Sequence, residues 1–137
     1  MELSIKIREG LGDIRYDMHI DDVYKLLGEA TEVEHIENAA DEPTIVLHYD
    51  DKGITMFFEG DGATLQCIDV SNTDTLLFGE KVFTLTDKEV AKLMVSNKYL
   101  EQDINNEEWG EKRITFNDAN IDFYFQKGKM VSIIMGK

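Results

Sequence analysis

The chain has 137 residues, 42% of them apolar and 31% charged, with a formal net charge of −14. Those values fit a globular domain and exclude a disordered chain. The charge repels nucleic acid and anionic membranes, and no apolar run reaches the roughly 18 residues of a membrane-spanning helix.

The acidity is uneven. Residues 1–70 hold 17 acids and 5 bases, whereas residues 71–137 hold 11 and 9. Such a field attracts a basic protein surface, and it also serves plain solubility. The opening stretch MELSIKIREG carries no apolar signal core, so a cytoplasmic protein is expected.

A first helix is predicted near Tyr16–Leu27. His19 stands at its N-cap, and Val23, Leu26 and Leu27 form its apolar stripe. The stretch 29–42 follows with six acids and no base. It reads as a solvated loop or as a docking surface for a basic partner. A strand is expected within 31–37. Pro43 then precedes a run over 45–70 that alternates and turns like an antiparallel meander. Its turns are Asp50-Asp51-Lys52-Gly53 and Gly60-Asp61-Gly62.

After the short joint at 71–75 the pattern returns. Under a shift of 67, Gly12, Tyr16, Val23, Lys25 and Leu26 fall on Gly79, Phe83, Val90, Lys92 and Leu93. Nine of sixteen positions from 12 to 27 match like for like, and the shift holds through Glu59. Beyond Gly60–Gly62 it becomes 66, with Leu65, Cys67 and Ile68 on Val131, Ile133 and Ile134. The second helix opens with Thr86 and Glu89, the spacing of a capping box. A strand is expected near 98–104, Trp109 lies in a loop before a strand, and each unit reads as a helix followed by three or four antiparallel strands.

The expected fold class is therefore α+β. Two tandem units, each a helix followed by an antiparallel sheet, occupy residues 8–72 and 75–137 of a single domain spanning 1–137. Their sheets join into one curved sheet with helices packed on one face.

This order, with V-x-x-L-L-G-E at 23–29 and F-G-E-K-V-F-x-L-T at 78–86, resembles the tandem-repeat fold of the β-lactamase inhibitory protein. Each half is similar to the small single-repeat lipoproteins of outer-membrane assembly. The resemblance implies a binder that offers one sheet face to a partner. The chain departs from the inhibitor in having one cysteine, and from the lipoproteins in having no anchor cysteine at its start. A cytoplasmic version looks similar in design to bacterial toxin-immunity proteins.

No residue pattern declares a chemistry. His19, His35 and His48 have no partner at metal-ligand spacing, and no phosphate loop or nucleophile motif is present. No metal or cofactor is expected, and no catalytic residue. Cys67 reads as a small buried thiol.

Strand alternation is more informative. It turns Ile54, Met56 and Phe58 inward and Thr55, Phe57 and Glu59 outward, and likewise Ile121, Phe123 and Phe125 inward and Asp122, Tyr124 and Gln126 outward. Val46, His48, Gln66, Ile68, Arg113, Thr115, Ser132 and Ile134 are expected on the outward face. The candidate partner-binding set is Phe57, Tyr124, His48, Glu59, Asp122, Gln126 and Trp109. Cross-strand packing on a solvated sheet would produce the same pattern. The expected function is non-enzymatic protein binding, as an inhibitor or immunity protein. The alternatives are a scaffold self-associating through its sheet and a small hydrolase-type enzyme.

Overall fold

A computed structural model describes residues 1–37, 43–106 and 110–137. Strand accounts for 49% of it and helix for 19%. Thirteen strands and two α-helices are present among the described residues.

The larger sheet has eight antiparallel strands. The first half supplies β4 (Glu32–Glu37), β5 (Pro43–Tyr49), β6 (Ile54–Glu59) and β7 (Thr64–Val70). The second supplies β10 (Gln102–Asn106), β11 (Glu111–Phe116), β12 (Ile121–Gln126) and β13 (Lys129–Gly136). Their order is β10-β11-β12-β13-β7-β6-β5-β4, so the halves meet where β13 pairs with β7.

The smaller sheet has five short strands in the order β3-β2-β1-β8-β9. Here β1 is Ser4–Lys6, β2 Gly10–Leu11, β3 Ile14–Arg15, β8 Leu76–Leu77 and β9 Glu80–Lys81. Strands β1 and β8 pair in parallel and bring the N-terminal segment to the joint between the halves.

This corrects the expected fold class. The chain is mostly β, and it is not a pair of tandem helix-then-sheet units with helices as the layer on one face. Ile5, Leu11, Ile14 and Leu77 of the small sheet share one buried cluster with Val23, Val90 and Met94 of the helices and Met56, Phe58 and Phe123 of the large sheet. The layer opposite the large sheet is thus part sheet and part helix. Four of its five strands are two residues long, too short to carry any periodicity in sequence.

The helices are short and locally specified. In α1 (Ile20–Leu27), His19 caps the start by accepting from the Asp21 amide at 3.1 Å. In α2 (Asp87–Ser96), Thr86 and Glu89 complete the reciprocal capping box. The expected stripe of α1 is narrower than drawn, because Val23 is buried while Leu26 is 40% exposed.

Both central hairpins carry a bulge. Phe57 pairs with Cys67 and Phe58 with Leu65, leaving Gln66 as the extra residue on β7. Tyr124 pairs with Ser132 and Phe125 with Met130, leaving Val131 extra on β13. The connecting turns are residues 60–63 in one hairpin and 127–128 in the other. The structural offset after the turn is therefore 65 rather than the 66 expected. Cys67 corresponds to Ser132 and Ile68 to Ile133.

Candidate functional site

One face of the large sheet packs on the core and the other does not. On β6, Ile54, Met56 and Phe58 are buried, whereas Thr55 and Phe57 are half-buried and Glu59 is exposed. On β12, Ile121, Phe123 and Phe125 are buried, Asp122 and Tyr124 half-buried and Gln126 exposed. Phe57 and Tyr124 therefore stand on the open face, as alternation requires once their neighbours are inward.

Pairing register extends this across the whole sheet. One row crosses all eight strands as Asp103, Thr115, Asp122, Ile134, Asp69, Thr55, His48 and Glu32. Phe57 lies two residues to one side of this row. Tyr124 lies two residues to the other side, because β6 and β12 run in opposite directions. Strand rise and spacing put the two rings roughly 20 Å apart along a diagonal.

Acids dominate this face. Glu32, Glu34, Glu59, Asp69, Asp103, Glu111 and Asp122 lie on it in register, against Arg113 and Lys129. Two local networks order it. His48 Nε2 contacts the Glu34 carboxylate, and its Nδ1 lies 3.3 Å from the Thr55 hydroxyl. In the other half, the Thr115 hydroxyl donates to Asp122. Asp69 sits between them beside Ile134, and burial pushes its carboxyl up from the ordinary value.

The outward set differs from expectation at three places. Ile68 is fully buried and pairs with Met56 and Met135, because the extra residue Gln66 reverses the phase of β7. Cys67 and Asp69 take the outward register instead. Val46 has the outward register expected but is only 2% exposed. Gln66 is held at the bulge by bonds from its amide to Asp17 (3.2 Å) and Thr64 (3.1 Å).

The structure thus brings Phe57, Tyr124, His48, Glu59, Asp122 and Gln126 onto one face. Trp109 lies outside the described residues. Asp69 and Glu32 were missed as members of a common row with Thr55 and His48, since register between distant strands leaves no local trace. Asp69 alone could have been found by counting back from an inward Val70.

The burial of Cys67 and the fields of Asp69, Glu59 and Asp122 push its thiol up to about 11. Such a thiol is a poor nucleophile at neutral pH. Among the described residues, neither His48 nor Asp69 lines the grooves found beside Tyr24, Tyr124, Asp87 and Leu85. Beside Tyr124 a groove of about 210 Å³ is lined by Glu111, Lys112, Tyr124, Phe125, Gln126, Val131 and Ser132. The arrangement offers a broad acidic surface with two partly exposed aromatics. Among the described residues no cluster of three or more His, Cys, Asp or Glu is placed to hold a metal ion. Nor is any helix long and apolar enough to cross a membrane.

No protein-family model matches the chain. No curated protein matches it either. Two solved structures resemble it in fold. The uncharacterized protein YfeY of Escherichia coli aligns over 100% of both chains with a TM-score of 0.54 and 12% identity. An extracellular protein containing an SCP domain from Bacillus anthracis str. Ames aligns with 97% of this chain at a TM-score of 0.50 and 8% identity. This chain spans 50% of that protein's length. At these identities the likeness concerns fold alone.

Proposed function

We propose that the protein is a non-enzymatic binding module that docks the open face of its large sheet onto a basic surface of another protein. It would act by surface blockade, as an inhibitor or immunity protein does. The observation that carries this reading is the placement of Phe57 and Tyr124 on opposite sides of one eight-strand row, on a face whose charges are mostly acidic. Aromatic anchors within a polar surround are the composition of protein interfaces. The acids would chiefly raise the association rate and set orientation. The cytoplasm is the compartment in this reading, and the free Cys67 thiol is compatible with its reducing conditions.

The test is affinity capture from the source cells, followed by kinetics of the purified pair. A Phe57→Ala/Tyr124→Ala double variant should weaken the captured complex by at least about 2 kcal/mol per ring. Raising salt from 50 to 500 mM should slow association while leaving dissociation nearly unchanged. A complex that ignores both changes is held by another surface, and this reading is then wrong.

A further inference from the structure

The large sheet ends in two edge strands, β10 and β4. An edge strand presents a row of backbone donors and acceptors that the sheet itself does not pair. The two edges differ in charge and in what lies beneath them. Strand β4 carries Glu32, Glu34 and Glu37 in six residues, all exposed, with no lysine or arginine. Strand β10 carries one acid, Asp103, in five residues.

Beneath β4 lies a groove of about 570 Å³ lined by Tyr24, Gly28, Glu29, Ala30 and Val33. Val33 pairs with the buried Leu47, so its side chain takes the core side of the strand, yet it is 42% exposed. Glu32 and Glu34 pair with His48 and Val46 and take the opposite side. The edge therefore has the Val33 groove on one side, with His35 and Glu37 further along, and Glu32 and Glu34 with Ile36 on the other. Beyond α2, the segment leading to β10 instead holds Tyr99, whose ring stacks on Phe78 at 6.2 Å.

We propose that the β4 edge is a second docking site, which takes an extended segment of a partner protein as a ninth strand of the sheet. Backbone hydrogen bonds supply the attraction in such strand addition, and alternate side chains supply the selectivity. A strand added here sends every second side chain into the groove and the others alongside Glu32 and Glu34. The segment that fits alternates apolar residues with lysine or arginine, because opposite charges directly across a strand pair are favourable. Charge also excludes a second copy of this chain. Two β4 edges brought together would set three glutamates against three.

The probe is an eight-residue peptide of alternating lysine and valine, titrated into isotope-labelled full-length protein and followed by NMR. Three controls accompany it: the same composition in blocks, glutamate in place of lysine, and N-methylation at every second amide. The expected result is saturable shifts at Tyr24, Ala30 and Val33, with slowed hydrogen exchange at alternate amides of β4. Each control, and the variant Glu32→Lys/Glu34→Lys, should weaken binding by about tenfold or more, as loss of backbone pairing or charge matching requires. Equal binding of the N-methylated or block peptide overturns the proposal. So does an absence of binding, or shifts that fall on Phe57, Asp69 and Tyr124 instead. Because the readout sits at β4, failure here leaves the open-face reading to its own test.

Discussion

Lys112 on β11 and Asp87 at the first turn of α2 form an ion pair, with 2.5 Å between Nζ and Oδ2. Residue 112 pairs with Phe125 and so takes the core side of the sheet. Its side chain fastens the helix to the sheet at the place where the helix needs a negative charge. The hydrogen bond from Lys112 holds the Asp87 carboxyl below its ordinary value, against a smaller opposing effect of burial.

A pH dependence follows. A depressed carboxyl contributes stability that is present above its unfolded value and is lost as pH falls through the folded one. Asp87→Asn should cost about 0.5–1 kcal/mol at pH 7, since both partners remain about a third exposed. The difference from wild type should shrink as pH drops below about 4. Urea unfolding at pH 7 and pH 3 measures it. A cost that is equal at both values would mean that the charge pair contributes nothing.

Cys67 should be a slow thiol. With its pKa near 11, the thiolate is about a hundredfold or more scarcer at pH 8 than for a free cysteine. Reaction with a chromogenic disulfide should keep accelerating beyond pH 9. The Asp69→Asn variant should react faster, because one neighbouring negative charge is gone. An inflection near 8.5 would place Cys67 in a solvent environment that this structure does not show.

Two glycines with positive φ should respond differently to alanine. At Gly10 an added Cβ would lie 1.9 Å from the Ile14 carbonyl oxygen, and the clash is with backbone. Gly10→Ala should cost at least about 2 kcal/mol by forcing β2 and β3 apart. At Gly28, which closes α1 with φ 81°, nothing lies within 4 Å of such a Cβ. There the cost should be about 1 kcal/mol, from conformation alone. Thermal unfolding of both variants tests whether the small sheet contributes to the common core. Equal losses would argue that it does not.

The two sides of the large sheet should separate in stability. Phe123 is fully buried and meets Phe116 edge-to-face, with ring centroids 6.3 Å apart. Phe123→Ala should cost about 3–5 kcal/mol. Phe57→Ala on the half-buried outward face should cost about 1 kcal/mol. Chemical denaturation of each variant settles the orientation, and a reversal would mean that the sheet faces the other way.

What the sequence disclosed was local. The caps at His19 and Thr86 depend on residues three or fewer positions away, and both are present. Alternation on β6 and β12 placed Phe57 and Tyr124 outward because those strands are unbroken. What it hid was set by partners far along the chain. The small sheet is completed only when β1 pairs with β8, some seventy residues later. Ile68 faces the core because Gln66 bulges, and that bulge is a property of the β6–β7 pair rather than of the residues near Ile68. The row through Asp69 and His48 exists only once five strands are in register. An acid-rich composition suggested a basic partner but not which acids would share a face.

The position of β13 between β12 and β7 bears on how the protein is made. During synthesis the strands appear in chain order, yet residues 129–136 occupy the middle of the sheet. Until they leave the ribosome, β7 and β12 each present an unpaired edge, and the hydrophobic sides of both half-sheets lack part of their cover. A nascent chain stalled before residue 129 is therefore a sticky intermediate, suited to chaperone capture. Arrival of β13 closes both edges in one event, so assembly of the large sheet should be abrupt rather than gradual.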